Sequence, residues 1–284
     1  AASNAKFASE LRELRRRLPG GGVPAPRAAG CAAGAGGPPE QICEWGAGAG
    51  KPADAGHRHF SHLYPLHPGG AVSPLTSPVL AAAARRALVE RLRHGGGHTG
   101  WSAAWAAALW ARLHDGALAH AAVRHTMKEF LSPALLGLHP PLASSGVARC
   151  PTCVKRRGGA REGVYQLDAN AGLTAAIAEM LLQSHAAAAR CAVHLLPALP
   201  PRWRSGEVRG LRARGALSVD ISWAAGRLAR VRIASIAAAD GDFVSAGAPP
   251  LDVCCAATVC ADNASLVAAG AELVWRSLWR FPND

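Results

Sequence analysis

The sequence has few lysines and lacks any long uncharged apolar run. Lysine occupies four of the 31 basic positions, so arginine supplies almost all of the positive charge. No stretch of about 18 apolar residues is free of charge, so no transmembrane helix is predicted. The opening "AASNAKFASELRELRRRLP" has no apolar central segment, and it is predicted as a charged amphipathic helix rather than a signal peptide.

Acidic residues are also scarce, and the formal net charge of the 284-residue chain is +12. Such a charge would permit binding to nucleic acid, but the arginines are scattered and no run of five or more basic residues occurs. The densest basic patch, "VKRRGGAR" at 154–161, is rich in glycine and has no interleaved aromatic residues. A nucleic-acid partner is therefore not predicted.

A complete zinc motif is absent as well. The eight cysteines include one pair with ligand spacing, "CPTC" at 150–153, but no second pair of this kind exists. Cys254 and Cys255 are adjacent and poorly placed to complete a four-ligand set. The cysteines are therefore predicted to be unpaired thiols or to form one local disulfide bond.

Hydrophobic periodicity predicts mainly α structure in the first two thirds of the chain. Helices are predicted over 5–18, from Pro78 to the glycines after His94, over 99–113, over 116–131 and over 173–185. Thr99 or Ser102 can cap the third of these helices. Helices of similar length joined by long loops indicate an all-α layer or toroid.

The pattern changes to strands after Pro197. The segments "LSVDISW" and "LARVRI" alternate in polarity, and "AAGR" between them is typical of a tight turn. A small β module is predicted to begin near residue 196. The later segment "AELVWRSLWRF" is compatible with a pair of strands or with a last helix.

Two histidine-rich segments are the candidates for chemistry. "HRHFSH" begins at His57, and "HGGGHTGW" contains His94 and His98 around three glycines. Imidazoles can bind zinc, but no carboxylates stand near them at suitable spacing, so a metal site is not predicted. The alternatives are a surface that binds sugar and ordinary polar residues near helix ends. His94 is predicted to cap its helix, and His57 and His62 to donate to backbone carbonyls.

Five ordered segments carry a resemblance to a known family: "GHRHFSHLYPLHPGG", "RLRHGGGHTGWSAAWAAALWARLHDG", "GLHPP", "DANAGLTAAIAEMLLQSH" and "HLLPALPPRWRSGEVRGLRARGALSVDISW". Together they resemble the C-terminal part of glycoside hydrolase family 95, the inverting α-L-fucosidases. The likeness covers about residues 40–233 and is interrupted at 143–163. It implies part of an (α/α)6 barrel over residues 1–195 and a small β-sandwich-like domain over 196–284.

The resemblance also implies a reaction, the hydrolysis of terminal α-linked L-fucose, or of α-L-galactose, with inversion. Such chemistry needs a general acid and a base that activates water on the opposite face of the sugar. In this family an asparagine amide activates the water and an aspartate polarises the amide. The family's acid and catalytic asparagines correspond to sequence upstream of Ala1. This chain is therefore expected to be a piece of a longer protein and to be inactive alone.

The family's aspartate falls on Asp168 in "LDANAG", which the resemblance makes the catalytic residue of this chain. Asn170 of the same segment is predicted to bind substrate. Ala169 replaces a family glycine, and it would strain the backbone if that position required a positive φ. An alternative interpretation makes Asp168 the N-cap of a helix that begins near Leu173.

The remaining predicted substrate contacts come from the histidine segments. Arg58 and His59 match the pair that the family uses to hold fucose hydroxyls, and both residues offer directed donors. His98 and Trp101 match residues around the barrel mouth and are predicted to shape the substrate site. Trp105 and Trp110 are predicted to pack in the core, and Glu179 is predicted to be structural. Glu40 and Glu44 are not assigned as the general acid, because they match a different segment of the family.

The implied partner is a fucosylated oligosaccharide or cell-wall glycan, together with the missing N-terminal half of the same protein. No membrane partner and no organic cofactor are predicted. The resemblance suggests an extracellular protein or one in the secretory pathway. The alternative function is that of a truncated, non-catalytic protein that binds carbohydrate or another partner.

Overall fold

A computed structural model describes residues 2–17, 41–44, 54–139, 156–157, 160–161, 164–185, 193–236, 251–255, 258–264 and 272–276. The chain forms two compact units, Ala1–Gly96 and Gly97–Asp284. Within the described ranges, no helix has both the length and the hydrophobicity needed to cross a membrane. The predicted division at residue 195 remains a prediction.

The first unit begins with helix α1, Ala2–Arg17, in agreement with the helix predicted over 5–18. Glu13 pairs with Arg17 one turn later along the helix surface. The apolar side chains of Phe7, Leu11 and Leu14 are exposed. This helix therefore buries little apolar surface.

Helix α2, Pro78–Arg93, confirms the second predicted helix. Pro78 stands in the first turn, where its missing N–H costs no hydrogen bond. His94 is the C-cap as predicted, with its Nδ1 atom 2.9 Å from the carbonyl oxygen of Glu90. The buried face of α2 carries mostly alanine and Leu88, and it also carries Arg91.

The described residues of the second unit contain three helices, α3 (Gly100–Arg112), α4 (Gly116–Phe130) and α5 (Leu167–Leu181), in addition to strands. The first two confirm the predicted helices. Every residue of α3 except Trp101 is buried, because α4 and α5 both pack against it. Helix α4 is amphipathic, and it buries small or apolar residues at intervals of three or four positions.

Helix α5 begins at Leu167, earlier than the start predicted near Leu173, and its N-cap is Gln166. The prediction was wrong because the polar segment "DANAG" has no apolar periodicity of its own. The small residues of this segment allow α5 to begin at Leu167. Ala169 is fully buried, and Gly172 lies so close to the ring of Trp101 that an added Cβ would be 2.8 Å from Cζ3.

Helices α3 and α5 run in the same direction. Hydrogen bonds join their beginnings, through Trp101 and Gln166, and their ends, through Arg112 and Glu179. Helix α4 must return antiparallel, because only residues 113–115 separate it from α3. This arrangement brings Trp101 and Asp168 to the same end of the helical layer.

The strands of the described residues are β1 Leu138–His139, β2 Arg156–Arg157, β3 Ala160–Arg161, β4 Val164–Tyr165, β5 Leu182–Gln183, β6 Val193–Leu195, β7 Gly206–Ala213, β8 Leu217–Ala224, β9 Arg227–Ser235, β10 Leu251–Cys255, β11 Thr258–Ala264 and β12 Glu272–Arg276. They form two small pairs, β1 with β4 and β2 with β3, and two four-stranded sheets. The sheet orders are β11-β10-β6-β5 and β12-β9-β8-β7. Most neighbours are antiparallel, whereas β6 and β10 are parallel.

The predicted hairpin is confirmed in β8 and β9. Alternate residues of β8 are buried, and the turn uses Ala225 and Gly226 with φ of 50° and 74°. The segment near residue 275, whose sequence is compatible with strands or with a last helix, forms strand β12 against β9. Residues 277–284 lie outside the described residues. Buried residues of β5, β6, β8 and β9 share one apolar cluster with Leu181 of α5.

Candidate functional site

The beginning of α3 is held by a capping box, so the backbone around His98 and Trp101 is fixed. The side chain of Thr99 accepts from Ser102 N at 3.2 Å, and Thr99 N donates to Ser102 Oγ at 3.1 Å. Both residues that the sequence offered as caps therefore take part. His98 precedes this cap and is half-buried.

Trp101 is the least buried of the three tryptophans of α3. Its ring stacks on Trp105, with ring centroids 5.3 Å apart. Trp105 and Trp110 are buried, as predicted for core residues. Gly172 of α5 leaves the space that the Trp101 ring occupies. The part of Trp101 that remains exposed can face a ligand.

Asp168 is an exposed residue in the first turn of α5. One carboxylate oxygen, Oδ1, accepts from the backbone N of Ala169 at 3.0 Å. Asp168 is not the N-cap, since Gln166 holds that position, and the alternative interpretation is therefore wrong. Its exposure leaves the carboxylate accessible to a group outside the helix.

Ala169 does not strain the backbone, because it lies inside a helix and not at a positive φ. Its methyl group packs where two glycines face it. A Cβ added at Gly100 would lie 3.0 Å from the Ala169 Cβ, and one added at Gly137 would lie 2.6 Å from it. The alanine therefore fits at this position of the helix.

The side-chain amide of Asn170 is bonded at both ends to one loop. Its Oδ1 accepts from Gly137 N at 2.7 Å, and its Nδ2 donates to the carbonyl oxygen of Leu135 at 2.7 Å. Leu135 has a φ of 60°, a conformation that a leucine rarely adopts without such support. In this structure Asn170 holds the loop against the start of α5.

Gln166 connects the same loop to both helices. Its backbone N donates to the carbonyl oxygen of Gly137 at 2.8 Å, and its side-chain Oε1 accepts from Trp101 N at 3.1 Å. No sequence pattern singled out this residue. Its role depends on the pairing of β1 with β4, which is a long-range contact.

In the first unit, a buried arginine supports the first histidine segment. Arg91 Nη1 donates to the carbonyl oxygens of His57 at 3.3 Å and His59 at 3.0 Å, and Nη2 lies 2.8 Å from Glu44 Oε2. The side chains of Arg91 and Glu44 are only 4% and 16% exposed. Glu44 thus forms a structural ion pair with Arg91. In the sequence, the signal that could have identified Arg91 as a buried residue is its position three residues after Leu88, on an otherwise apolar helix face.

Arg58 is exposed and His59 is half-buried, so both residues reach the surface of the first unit. The segment is compact, because His59 N donates to His57 Nδ1 at 3.2 Å and their ring centroids are 5.2 Å apart. His57 accepts in this contact through Nδ1, and its predicted donation to a backbone carbonyl stays a prediction.

His62, the other predicted donor, lies in the same segment. Its Nδ1 atom is buried without a hydrogen-bond partner in the described part of the chain. Burial, reinforced by the positive charge of Arg91 and opposed by Glu44, lowers the pKa of His62 from 6.5 to about 4. His62 is therefore neutral near pH 7.

The described residues contain no group of three or more histidine, cysteine or acidic side chains that could hold a metal ion. Cys43 is disulfide-bonded. The "CPTC" segment at 150–153 and most of the interruption at 143–163 lie outside the described residues.

In the second unit, the structure brings Trp101, Asp168 and Asn170 to one end of α3 and α5, whereas Arg58 and His59 belong to the first unit.

Residues 31–181 match the glycosyl hydrolase family 95 catalytic domain, and residues 183–257 match the family's C-terminal domain. The chain is 38% identical to alpha-L-fucosidase 2 of Arabidopsis thaliana over 185 residues, which is 61% of this chain and 18% of that protein. It is 32% identical to probable alpha-fucosidase A of Aspergillus oryzae over 177 residues, 59% of this chain and 22% of that protein. The matched segment spans about a fifth of the length of these curated relatives. The predicted resemblance is confirmed, and the chain belongs to glycoside hydrolase family 95.

Proposed function

We propose that this chain is the C-terminal part of the catalytic barrel, with the following β domain, of an inverting α-L-fucosidase. The observation that carries the proposal is the exposed carboxylate of Asp168, which stands in the family's aspartate segment at the first turn of α5. Trp101 and Asn170 stand at the same end of the helical layer. The reaction is the removal of terminal α-linked L-fucose, or of α-L-galactose, from a glycan.

The burial of the helices supports an (α/α)6 barrel. Helix α3 is buried on all sides, its amphipathic neighbour α4 returns antiparallel, and α5 runs parallel to α3. An inner helix, an outer helix and the next inner helix of such a barrel have these properties. A β-sandwich-like C-terminal domain is supported by the apolar cluster shared by the two four-stranded sheets.

In the proposed reaction Asp168 polarises an asparagine amide, and that amide activates the attacking water. A separate general acid protonates the leaving oxygen, as inversion requires. The acid and the asparagine would come from the upstream part of the same protein. The exposure of Asp168 fits this role, because a carboxylate that polarises a group on another segment must be reachable.

Sugar contacts are proposed separately for each unit. In the first unit, Arg58 and His59 would donate hydrogen bonds to fucose hydroxyls, and Arg91 would hold their backbone. In the second unit, His98 and Trp101 would shape the substrate site, and Asn170 would belong to it through the loop that it holds. A tryptophan presents a rigid apolar surface at low entropic cost, which suits a sugar ring.

The proposed substrate is a fucosylated oligosaccharide or a cell-wall glycan, in line with relatives named as alpha-fucosidases. No organic cofactor takes part in the proposed chemistry. The proposed location is extracellular or in the secretory pathway. The partner that completes the site would be the N-terminal half of the same protein.

The proposal is tested by hydrolysis of 2′-fucosyllactose with this chain and with the full-length protein that carries it. We expect activity in the full-length protein alone and its loss in the variant Asp168→Asn. Asp115→Asn is the matched control, because Asp115 caps α4 through Leu118 N and asparagine caps equally well. A folded full-length protein without activity would instead favour the non-catalytic carbohydrate-binding function.

A further inference from the structure

The beginning of α3 depends on a side chain from another segment. The first N–H groups of a helix have no partner inside it, and Trp101 N is one of them. The capping box serves Ser102 N but not Trp101 N. The acceptor for Trp101 N is Gln166 Oε1, at 3.1 Å and 65 residues further along the chain.

Gln166 is at the same time the N-cap residue of α5. Its carbonyl oxygen accepts from Ala169 N at 3.1 Å, and its N donates to the carbonyl oxygen of Gly137 at 2.8 Å. One residue thus joins the start of α3, the start of α5 and the loop before β1. Asp168 lies two positions after it, so the placement of Asp168 relative to Trp101 passes through Gln166.

We propose that Gln166 is a positioning residue of the candidate site, which holds the Asp168 turn of α5 in register with the Trp101 turn of α3. The inference rests on the proposed function and assigns a role that the family resemblance did not carry to this position. Gln166 acts through Asp168 and Trp101, not on the substrate. Its backbone N and O atoms and its side-chain Oε1 are engaged by the protein backbone in the contacts described above.

A second glutamine provides the matched control. Gln183 joins the opposite ends of the same two helices, since its Nε2 donates to the carbonyl oxygens of Ala111 at 2.9 Å and Glu179 at 3.0 Å. It is 3% exposed. Replacing it removes comparable bonds between α3 and α5, but at the end that does not carry Asp168.

The experiment compares Gln166→Leu, Gln166→Glu and Gln183→Leu in the full-length protein, with kcat, KM and the thermal midpoint measured for each. Leucine at 166 removes the acceptor for Trp101 N, and a small displacement of a catalytic group can lower the rate by about 10²-fold. We expect Gln166→Leu to lower kcat on 2′-fucosyllactose by about that factor, with KM little changed. Glutamate keeps an acceptor at the same reach, so Gln166→Glu should retain most of kcat.

Gln183→Leu should lower the thermal midpoint at least as much as Gln166→Leu and leave kcat unchanged below that midpoint. Equal kcat in the two leucine variants would overturn the positioning role, as would a failure of Gln166→Glu to restore kcat. An unmodified full-length protein that is folded but inactive would refute the proposed function itself. The two failures are therefore distinguishable.

Discussion

Arg112 and Glu179 form a two-point ion pair that ties the end of α3 to the end of α5. Arg112 Nε lies 2.6 Å from Glu179 Oε2, and Nη2 lies 3.0 Å from Oε1. The Arg112 side chain is 3% exposed and that of Glu179 is 20% exposed. Two parallel bonds between planar groups fix both distance and orientation, so this pair sets the spacing of the two helices.

Removing one partner of this pair should destabilise the protein strongly. Glu179→Leu leaves the buried guanidinium of Arg112 without its carboxylate, which costs about 3–5 kcal/mol of the free energy of unfolding. Denaturant unfolding of the full-length protein measures this cost. The control is Glu13→Gln, which breaks the exposed pairs with Arg16 and Arg17 and should cost about 0.5 kcal/mol or less. Equal effects of the two changes would contradict the structural role of the buried pair.

Arg91 should control the order of the first histidine segment. Lysine at this position cannot span the carbonyls of His57 and His59 and the carboxylate of Glu44 as the planar guanidinium does. We expect Arg91→Lys to speed amide hydrogen exchange over 57–62 by about tenfold or more, which corresponds to about 1.4 kcal/mol of local stability.

The control for that variant is Arg93→Lys, because Arg93 is exposed and only loosely paired with Glu90. It should leave exchange over 57–62 unchanged. If Arg58 and His59 bind sugar, Arg91→Lys should also raise KM in the full-length enzyme, and Arg93→Lys should not. Unchanged exchange in Arg91→Lys would show that the segment is held by other contacts.

Stability should fall with acid through a pair of histidines, of which His194 is buried and His114 is half-buried. The rings of His114 and His194 meet edge to face, with centroids 4.8 Å apart, where the turn after α3 lies against β6. Burial, together with the charge that His114 would carry, lowers the pKa of His194 from 6.5 to about 4. Burial and Arg112 also lower the pKa of His114, although its hydrogen bond to Gln183 opposes the shift.

The sign follows from proton linkage, because the unfolded chain binds these protons more readily than the folded one. The contribution of His194 to stability is complete above pH 6.5, and it is lost progressively between pH 6.5 and 4, for a total of roughly 3 kcal/mol. We expect His194→Phe to reduce the slope of stability against pH in that window. His62, whose pKa is also lowered to about 4, should maintain a residual slope. An unchanged slope in His194→Phe would exclude His194 as a source of the acid sensitivity.

Local sequence signals predicted most of the helical framework and the central hairpin correctly. Pro78 at the start of α2, the Thr99–Ser102 capping box of α3 and the alternation in β8 all act over a few residues, so they are visible without the fold. The start of α5 was not visible in this way. Its first turn is stabilised by contacts with Gly100, Trp101 and Gly137, which are distant along the chain.

The sequence by itself determined the family, the candidate residues and the helical periodicity, because ordered segments and local patterns can be read along the chain. Only the tertiary structure decided which residues support them. Arg91 and Gln166 act through atoms 30 or more positions away, at the carbonyls of the histidine segment and at Trp101 N. Polar groups inside a fold must find partners, and the identity of those partners depends on which segments the packing brings together.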